Sequence, residues 1–294
     1  MICQIAKKIG FPADAIEYLE QQNEQLLANA NAKETLFAAM KHVFTNTDNS
    51  YEAMLEEIAQ ETGIPRYTVD MLFFLHCTEP MRALYREKGI DEEIYWNSLS
   101  DLTCKLIECK KVYGYYGSST KNWFPRFLRA EAFALGRLQY ERKPFVLDSY
   151  KDLLKKDELV CKCHIPSSGP LLFEDVLASL KQAYEFYAPY RKNGVLPILC
   201  DSWLLYPPVA ELFDPSSNTA RFYRIFEIIH EKPSLSNHDF WRVFNLPYTP
   251  ENLQNAPEDS SMQRKIKQFL LNGNCMGAGM GLILFDGQTI LTAH

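Results

Sequence analysis

Apolar residues recur at three- and four-residue steps through the first third of the chain. Between Pro12 and Ala30 they are Ile16, Leu19 and Leu26, set among Glu and Gln. Between Lys33 and Phe44 they are Leu36, Met40 and Val43, and between Tyr51 and Glu61 they are Met54, Leu55 and Ile58. Each set predicts a helix with one apolar face. Thr62-Gly63-Ile64-Pro65 reads as the end of one helix and the start of another. Thr68 to His76 is apolar enough to predict a buried helix. Glu79 to Lys88, closed by Gly89, is a further helix, and Asp91 to Asn97 and Leu99 to Lys110 are two shorter ones. No strand pattern precedes about residue 126.

The period then changes. Tyr113 to Ser119 is a loop signal, and Phe127 to Tyr140 becomes strand-like, with Gly136 breaking any helix through it and Leu138 to Arg142 alternating. From Leu159 to Ile165 the side chains separate by two-residue steps: Leu159, Cys161, Cys163 and Ile165 on one face, Val160, Lys162 and His164 on the other. Pro166 ends that strand because it cannot continue the ladder, and Pro170 suits the first turn of a helix. Phe173, Val176, Leu177, Leu180, Tyr184 and Tyr187 give that helix an apolar face. Leu196 to Leu205 and Phe226 to Glu231 predict two more strands, Ser217 or Asn218 caps a helix reaching about Ile225, and Met262 to Leu271 is another helix. Gly281 to Phe285 and Thr289 to Leu291 flank Asp286-Gly287, a hairpin signal. The fold class expected is therefore α+β: a helical domain over residues 1–125, then an α/β domain over residues 126–294.

Composition narrows what such a chain does. With 294 residues, 47% of them hydrophobic, it has material for one large core or two modest ones. A net charge of −6 argues against a general nucleic-acid binder. No apolar run reaches membrane-spanning length, and Gln4, Lys7 and Lys8 interrupt the first ten residues where a signal peptide would carry an apolar block. Eight scattered cysteines do not form a disulfide framework; they fit free, mostly buried thiols in a reducing cytoplasm.

The chemistry-bearing residues gather after residue 135. The amides of Ser167, Ser168 and Gly169 lead into a helix N-terminus, where backbone dipoles favour an anion. His164, at the strand end beside that loop, is placed either to take a proton from an incoming amine or simply to cap the loop. Asp201 and Ser202 interrupt an apolar strand; they line a cleft, or they mark the strand end within a structural hydrogen-bond network. Cys161, Cys163 and His164 do not make a zinc site, because His164 faces away from the cysteines and no second Cys or His pair completes a tetrahedron. Gly277, Gly279 and Gly281 do not open a helix after a strand, so they are no dinucleotide fingerprint; a bulge or close backbone contact is expected. Between Lys105 and Lys143 nine Lys and Arg stand against three Glu, a stretch that would draw a phosphate-rich ligand if it lay near the loop, or else forms solvated helix faces. Arg137 and Arg142 flank its Leu-Gln-Tyr strand.

Several of these segments carry a resemblance. Leu135-Gly136-Arg137-Leu138-Gln139-Tyr140-Glu141, Cys163-His164-Ile165-Pro166, Cys200-Asp201-Ser202-Trp203-Leu204-Leu205 and Ser217-Asn218 resemble a GNAT-like C-terminal domain. Trp96-Asn97-Ser98-Leu99-Ser100-Asp101-Leu102 and Trp123-Phe124 resemble the helical N-terminal partner of the same acyltransferase proteins. The resemblance implies a mixed, mostly antiparallel sheet and acyl-CoA or acetyl-CoA as co-substrate, bound where two strands splay, with no metal. It implies that the loop and helix after the fourth strand hold the pyrophosphate. An amine then attacks the thioester directly, aided by a base and an acid. By order, Leu159 to Ile165 is similar to the fourth strand, Leu172 to Tyr187 to the third helix and Leu196 to Leu205 to the fifth strand. Asn218 to Phe226 is similar to the helix that follows, and Tyr223 stands where that helix carries the tyrosine that protonates the departing thiolate. On this reading His164 is the base, Tyr223 the acid, Asp201 and Ser202 line the cleft, and Ser167, Ser168, Gly169, Arg137 and Asn218 hold the cofactor. The phosphate loop departs from the family's usual Arg or Gln, two residues, Gly, one residue, Gly or Ala; here it reads His164-Ile165-Pro166-Ser167-Ser168-Gly169-Pro170, whose prolines donate no hydrogen bond. The alternative is a non-catalytic module of the same fold that binds another ligand or a protein partner. Partners expected are a small-molecule acyl donor and an amine acceptor, with neither nucleic acid nor membrane; the acceptor, acyl-chain length and oligomeric state are not specified by the residues.

Overall fold

The fold comes from a computed structural model that describes residues 2–46 and 48–293. The chain divides into two compact units, residues 1–134 and 135–294. Among the described residues the first unit is built of helices: α1 (Ile2–Lys8), α2 (Ala13–Ala28), α3 (Ala30–Thr45), α4 (Tyr51–Thr62), α5 (Arg66–His76), α6 (Thr78–Glu87), α7 (Glu92–Leu99), α8 (Asp101–Tyr113) and the single turn α9 (Pro125–Leu128). The apolar period explains them. Ala15, Ile16, Leu19 and Leu26 are the buried face of α2, and Leu36, Ala39 and Val43 that of α3. Met40, expected with the latter, is only half-buried at the edge of that face. Asn29 separates the two helices by accepting the Ala32 N–H at 3.0 Å, which satisfies one orphan donor of α3. α5 is buried nearly all round from Thr68 to Leu75, as its composition predicts.

From Ala132 onward the chain forms a six-stranded sheet in the order β1-β2-β5-β6-β8-β7. The strands are β1 (Ala132–Leu135), β2 (Leu138–Pro144), β5 (Leu159–His164), β6 (Leu196–Ser202), β7 (Glu227–Pro233) and β8 (Gly277–Phe285); β3 (Ser149–Tyr150) and β4 (Leu154–Lys155) form a separate short hairpin. β5 and β6 run parallel, whereas β2–β5, β6–β8 and β7–β8 are antiparallel. The sheet is therefore mixed and mostly antiparallel. Helices α10 (Phe173–Phe186), α11 (Pro207–Ala210), α12 (Asn218–Tyr223), α13 (Phe240–Phe244), α14 (Pro250–Gln254) and α15 (Ser261–Leu271) complete the unit. Among the described residues no helix is long and apolar enough to cross a membrane.

Among the boundaries that differ from expectation, three have a plain local reason. The strand-like stretch after residue 127 begins only at Ala132, because Pro125 to Leu128 closes a helical turn first. β6 stops at Ser202 rather than Leu205: the Ser202 Oγ accepts the Leu204 N–H at 3.2 Å and folds residues 203–205 into a 3₁₀ turn. The segment after Asp286-Gly287 returns to β8 through one bridge, Phe285 to Ile290, rather than as a strand. The alternating glycines lie inside β8. A Cβ on Gly279 would overlap the Leu205 carbonyl, so the close backbone approach expected of that run is what the 3₁₀ turn requires.

Candidate active site

Register sorts the sheet into two faces. Tyr140 pairs with Cys163, and Cys163 with Cys200. These residues face α10, since the Tyr140 hydroxyl meets the Ser179 Oγ of α10 at 2.9 Å. Cys161, Cys163 and Cys200 are thus buried core thiols. Burial raises the Cys161 thiol, and the hydrogen bond with Cys163, then burial, raises Cys200, so neither of these two is poised as a thiolate nucleophile. Among the described residues no group of three or more His, Cys, Asp or Glu could hold a metal ion.

The opposite face is apolar at one end and charged at the other. Val160 and Leu199 join Phe145, Tyr150, Leu154, Met280 and Leu282 in an apolar cluster. Two and four residues further along β5 come Lys162 and His164, and two further along β6 comes Asp201. Lys162 forms an ion pair with Asp201. His164 Nε2 lies 2.9 Å from Glu141 Oε1, and Lys143 Nζ lies 3.2 Å from Glu141 Oε2. The Glu141 side chain is only 3% exposed and that of His164 22%. A buried carboxylate thus fixes an imidazole that still reaches solvent. If Nε2 donates its proton to Glu141, the lone pair lies on Nδ1, the arrangement of an oriented proton acceptor.

This pair stands where the two parallel strands separate. β5 and β6 are in register from Cys161 with Ile198 to Cys163 with Cys200. Beyond that point Asp201 and Ser202 of β6 remain in register with Met280 and Gly279 of β8, while the chain after His164 turns into the loop before α10.

Arg137 governs that loop. Its guanidinium donates to the carbonyls of Pro166 at 3.1 Å, Gly169 at 2.7 Å and Pro170 at 3.0 Å. In a trans peptide the N–H points away from the preceding C=O, so the amides of Ser167 and Leu171 face the side away from Arg137. Gly169, at φ +118°, adopts a backbone that other residues strain to reach. Ser167, Ser168 and Gly169 are all exposed. Arg137, expected among the cofactor-holding residues, is thus tied to the backbone of the loop itself.

The remaining expected residues lie on or near α12. Ser217 is its cap, accepting the Ala220 N–H at 3.1 Å, and Asn218 is exposed at the first helical position. Tyr223, at the last, is half-buried, and its hydroxyl forms no hydrogen bond with another described residue. Burial, then Glu211 and Glu231, hold its phenol above the usual range, so it keeps its proton at neutral pH. α12 packs on the α10 side of the sheet: Phe226, just after it, would meet a Cβ on Gly281, which pairs with Cys200. His164 and Tyr223 therefore belong to opposite faces. Ser202 is committed as the cap of the 3₁₀ turn.

Two neighbours escaped the sequence reading. Glu141 was visible only as one member of an alternating strand; the β2–β5 register, Gln139 with His164 and Glu141 with Lys162, is what makes it the imidazole's partner. Arg221 stands three residues after Asn218. Its guanidinium lies 3.9 Å over the Phe173 ring, and its Nη1 lies 3.9 Å from Glu174 Oε1, which places a cation at the first turn of α10.

Residues 132–283 match the family described as GNAT-like C-terminal domain, and residues 2–130 match the N-acyltransferase N-terminal domain. The chain belongs to this acyltransferase family. None of the curated proteins matches it. Among solved structures, an acyltransferase mutant in complex with octanoyl-CoA is similar over 96% of this chain and 87% of its own, at 21% identity and a TM-score of 0.71. An acyltransferase in complex with decanoyl-CoA and teicoplanin is similar over 96% of this chain and 98% of its own, at 20% identity and a TM-score of 0.65. A third, in complex with CoA and 10C-teicoplanin, covers 95% of this chain at 20% identity and a TM-score of 0.64. At these identities the likeness is one of fold, and it extends through both units of this chain.

Proposed function

We propose that this chain transfers an acyl group from acyl-CoA to an amine by direct attack. The observation that carries the reading is the His164–Glu141 pair standing where β5 leaves β6. Glu141 holds the imidazole by Nε2, and Nδ1 takes the proton from the attacking amine. Tyr223, kept protonated, supplies the proton for the departing thiolate. Because the two belong to opposite faces of the sheet, the reacting carbon has to lie in the gap between the strand ends, within reach of both.

The loop residues suit a pyrophosphate in a modified way. Arg137 draws three carbonyls behind the loop, which frees the opposite side from their partial negative charge. Arg221 adds a cation at the first turn of α10, where Pro166 and Pro170 have removed amides, and sits beside Glu174 to offset its charge. Asn218, Asp201 and Lys162 line the approach on this reading. The solved acyltransferases named above bind octanoyl- and decanoyl-CoA, which supports an acyl thioester as donor. Teicoplanin, a glycopeptide in one of those complexes, supports a small-molecule acceptor.

The second reading, a binding module that kept the fold, is favoured by the same two prolines. A thermal-shift titration with CoA and with octanoyl-CoA separates them, because a ligand that binds only the folded state raises the melting temperature. Shifts with both, together with amine-dependent thiol release, are expected. No shift at millimolar concentration would move the assignment to the second reading.

A further inference from the structure

The helical unit carries an apolar groove remote in sequence from the residues discussed above. It runs between α3 and α6 and holds about 540 Å³. Phe37, Met40 and Phe44 line one wall, and Pro80, Ala83 and Leu84 the other. Both rows follow helical spacing, so α3 has a second apolar stripe beside the one buried in its own core. Phe37 is 49% exposed, a large aromatic ring left in water beside a concave surface. An exposed aromatic ring beside a concave apolar wall is surface that a partner can cover.

The charges at the rim indicate what covers it. Lys41 lies on the α3 wall and Glu87 on the α6 wall, and neither side chain has an ion pair or hydrogen bond with another described residue. A groove rimmed by one sign would suit a partner of the other. A groove with one cation on one wall and one anion on the other is complementary to itself. A two-fold axis along the groove brings the α3 wall of each copy over the α6 wall of the other. Lys41 then opposes Glu87 of the second copy, twice, and each Phe37 ring faces a wall whose side chains, Pro80 and Ala83, are small. We propose that the chain associates with a second copy of itself through this groove, in an isologous α3–α6 interface.

Sedimentation equilibrium of the full chain, from micromolar to submillimolar concentration, tests this. The expected result is a reversible dimer. Phe37→Asp removes the apolar knob and is expected to leave a monomer. Lys41→Glu or Glu87→Lys alone sets like charges face to face and is expected to raise the dissociation constant by about tenfold or more. The double exchange, Lys41→Glu with Glu87→Lys, restores the pairs and is expected to restore the dimer. All three positions are at the surface or the groove wall, and circular dichroism checks that each variant folds. A wild-type chain that stays monomeric at every concentration overturns the proposal. So does a dimer unmoved by Phe37→Asp and by both charge reversals. A monomer that takes up a nonpolar fluorescent dye, and loses it in Phe37→Asp, also overturns it and gives the groove to a small apolar ligand.

Discussion

Asp70 in the first unit and Glu141 in the second are both buried carboxylates, and the two are handled differently. Asp70 of α5 is 1% exposed and pairs with Arg66, which also reaches Glu56 at 3.2 Å and the Glu52 carbonyl at 3.4 Å. Burial, against the pull of Arg66, raises the Asp70 carboxyl to about 6. Glu141 of β2 is 3% exposed and pairs with His164, itself 22% exposed. The difference lies in the partner. Guanidinium keeps its charge at any ordinary pH and the Asp70 carboxyl is sealed from solvent, so this pair serves the packing of the helical unit. Imidazole can accept a proton, and this one keeps an edge toward solvent; on the proposed function the same burial holds a proton acceptor in place. On that reading depth alone does not mark a functional carboxylate; a reachable, proton-accepting partner does.

Mutation sharpens the contrast. His164→Ala is expected to lower turnover by about 10²–10⁴-fold, the usual worth of a positioned general base, at a cost of about 1–2 kcal/mol in unfolding stability because Lys143 still faces the buried Glu141. Glu141→Gln keeps the shape and an acceptor oxygen but loses the charge; it should slow turnover less, and the double variant should be no slower than His164→Ala, as expected of one coupled unit. Equal and additive losses in steady-state kinetics would break the pair into unrelated residues. Asp70→Ala should do the reverse. It leaves Arg66 with only Glu56 and the Glu52 carbonyl and is expected to cost about 1–3 kcal/mol of stability by urea unfolding. The folded fraction should turn over at the wild-type rate, and a loss of turnover there would erase the distinction between the two carboxylates.

Acidity probes the same comparison at smaller amplitude. Asp70 is raised in the folded chain to about 6 from an ordinary 3.8. The folded state therefore holds the proton more tightly than the unfolded one between those values. The contribution is full below the ordinary carboxyl range and is lost as pH rises through about 6, on the order of 3 kcal/mol in all. Unfolding of the wild type and Asp70→Asn in parallel from pH 4 to 7 isolates it: the wild type should lose stability relative to the variant as pH rises. A constant difference across that range would mean that Asp70 stays ionised throughout.

Much of the frame was legible because local and tertiary preferences agree. β5 alternates, ends at a proline and is followed by an apolar helical stripe, and the strand, loop and α10 fall where that pattern puts them. β6 was read three residues too long because Trp203-Leu204-Leu205 is as apolar as the strand before it; one hydroxyl, Ser202 Oγ, decides the turn. Asp70 was hidden inside a helix read as apolar, since a lone acid does not disturb the period. The candidate site was legible by residue and not by relation. His164 and Tyr223 stand on the elements expected of them, but which face each one serves follows from register. Glu141 and His164 are 23 positions apart, and only the antiparallel pairing of β2 with β5 makes them neighbours.

The smallest effect expected is at Arg137, and it separates two ways of handling a phosphate group. A residue that binds phosphate directly is well replaced by lysine, which supplies the same charge. A residue that gathers three carbonyls through a planar fork is not, because one ammonium cannot span partners spread over Pro166, Gly169 and Pro170. Arg137→Ala is expected to weaken CoA binding by about tenfold, near 1.4 kcal/mol, by loosening the loop rather than by removing a contact. Turnover at saturating acyl-CoA should be nearly unchanged, since Glu141 holds His164 from β2. Calorimetric titration with CoA is the measurement, and Arg137→Lys is the deciding variant. Binding as weak as in Arg137→Ala supports the loop-shaping role. Binding restored to near wild type would make Arg137 a direct phosphate contact and return it to the role the sequence first suggested.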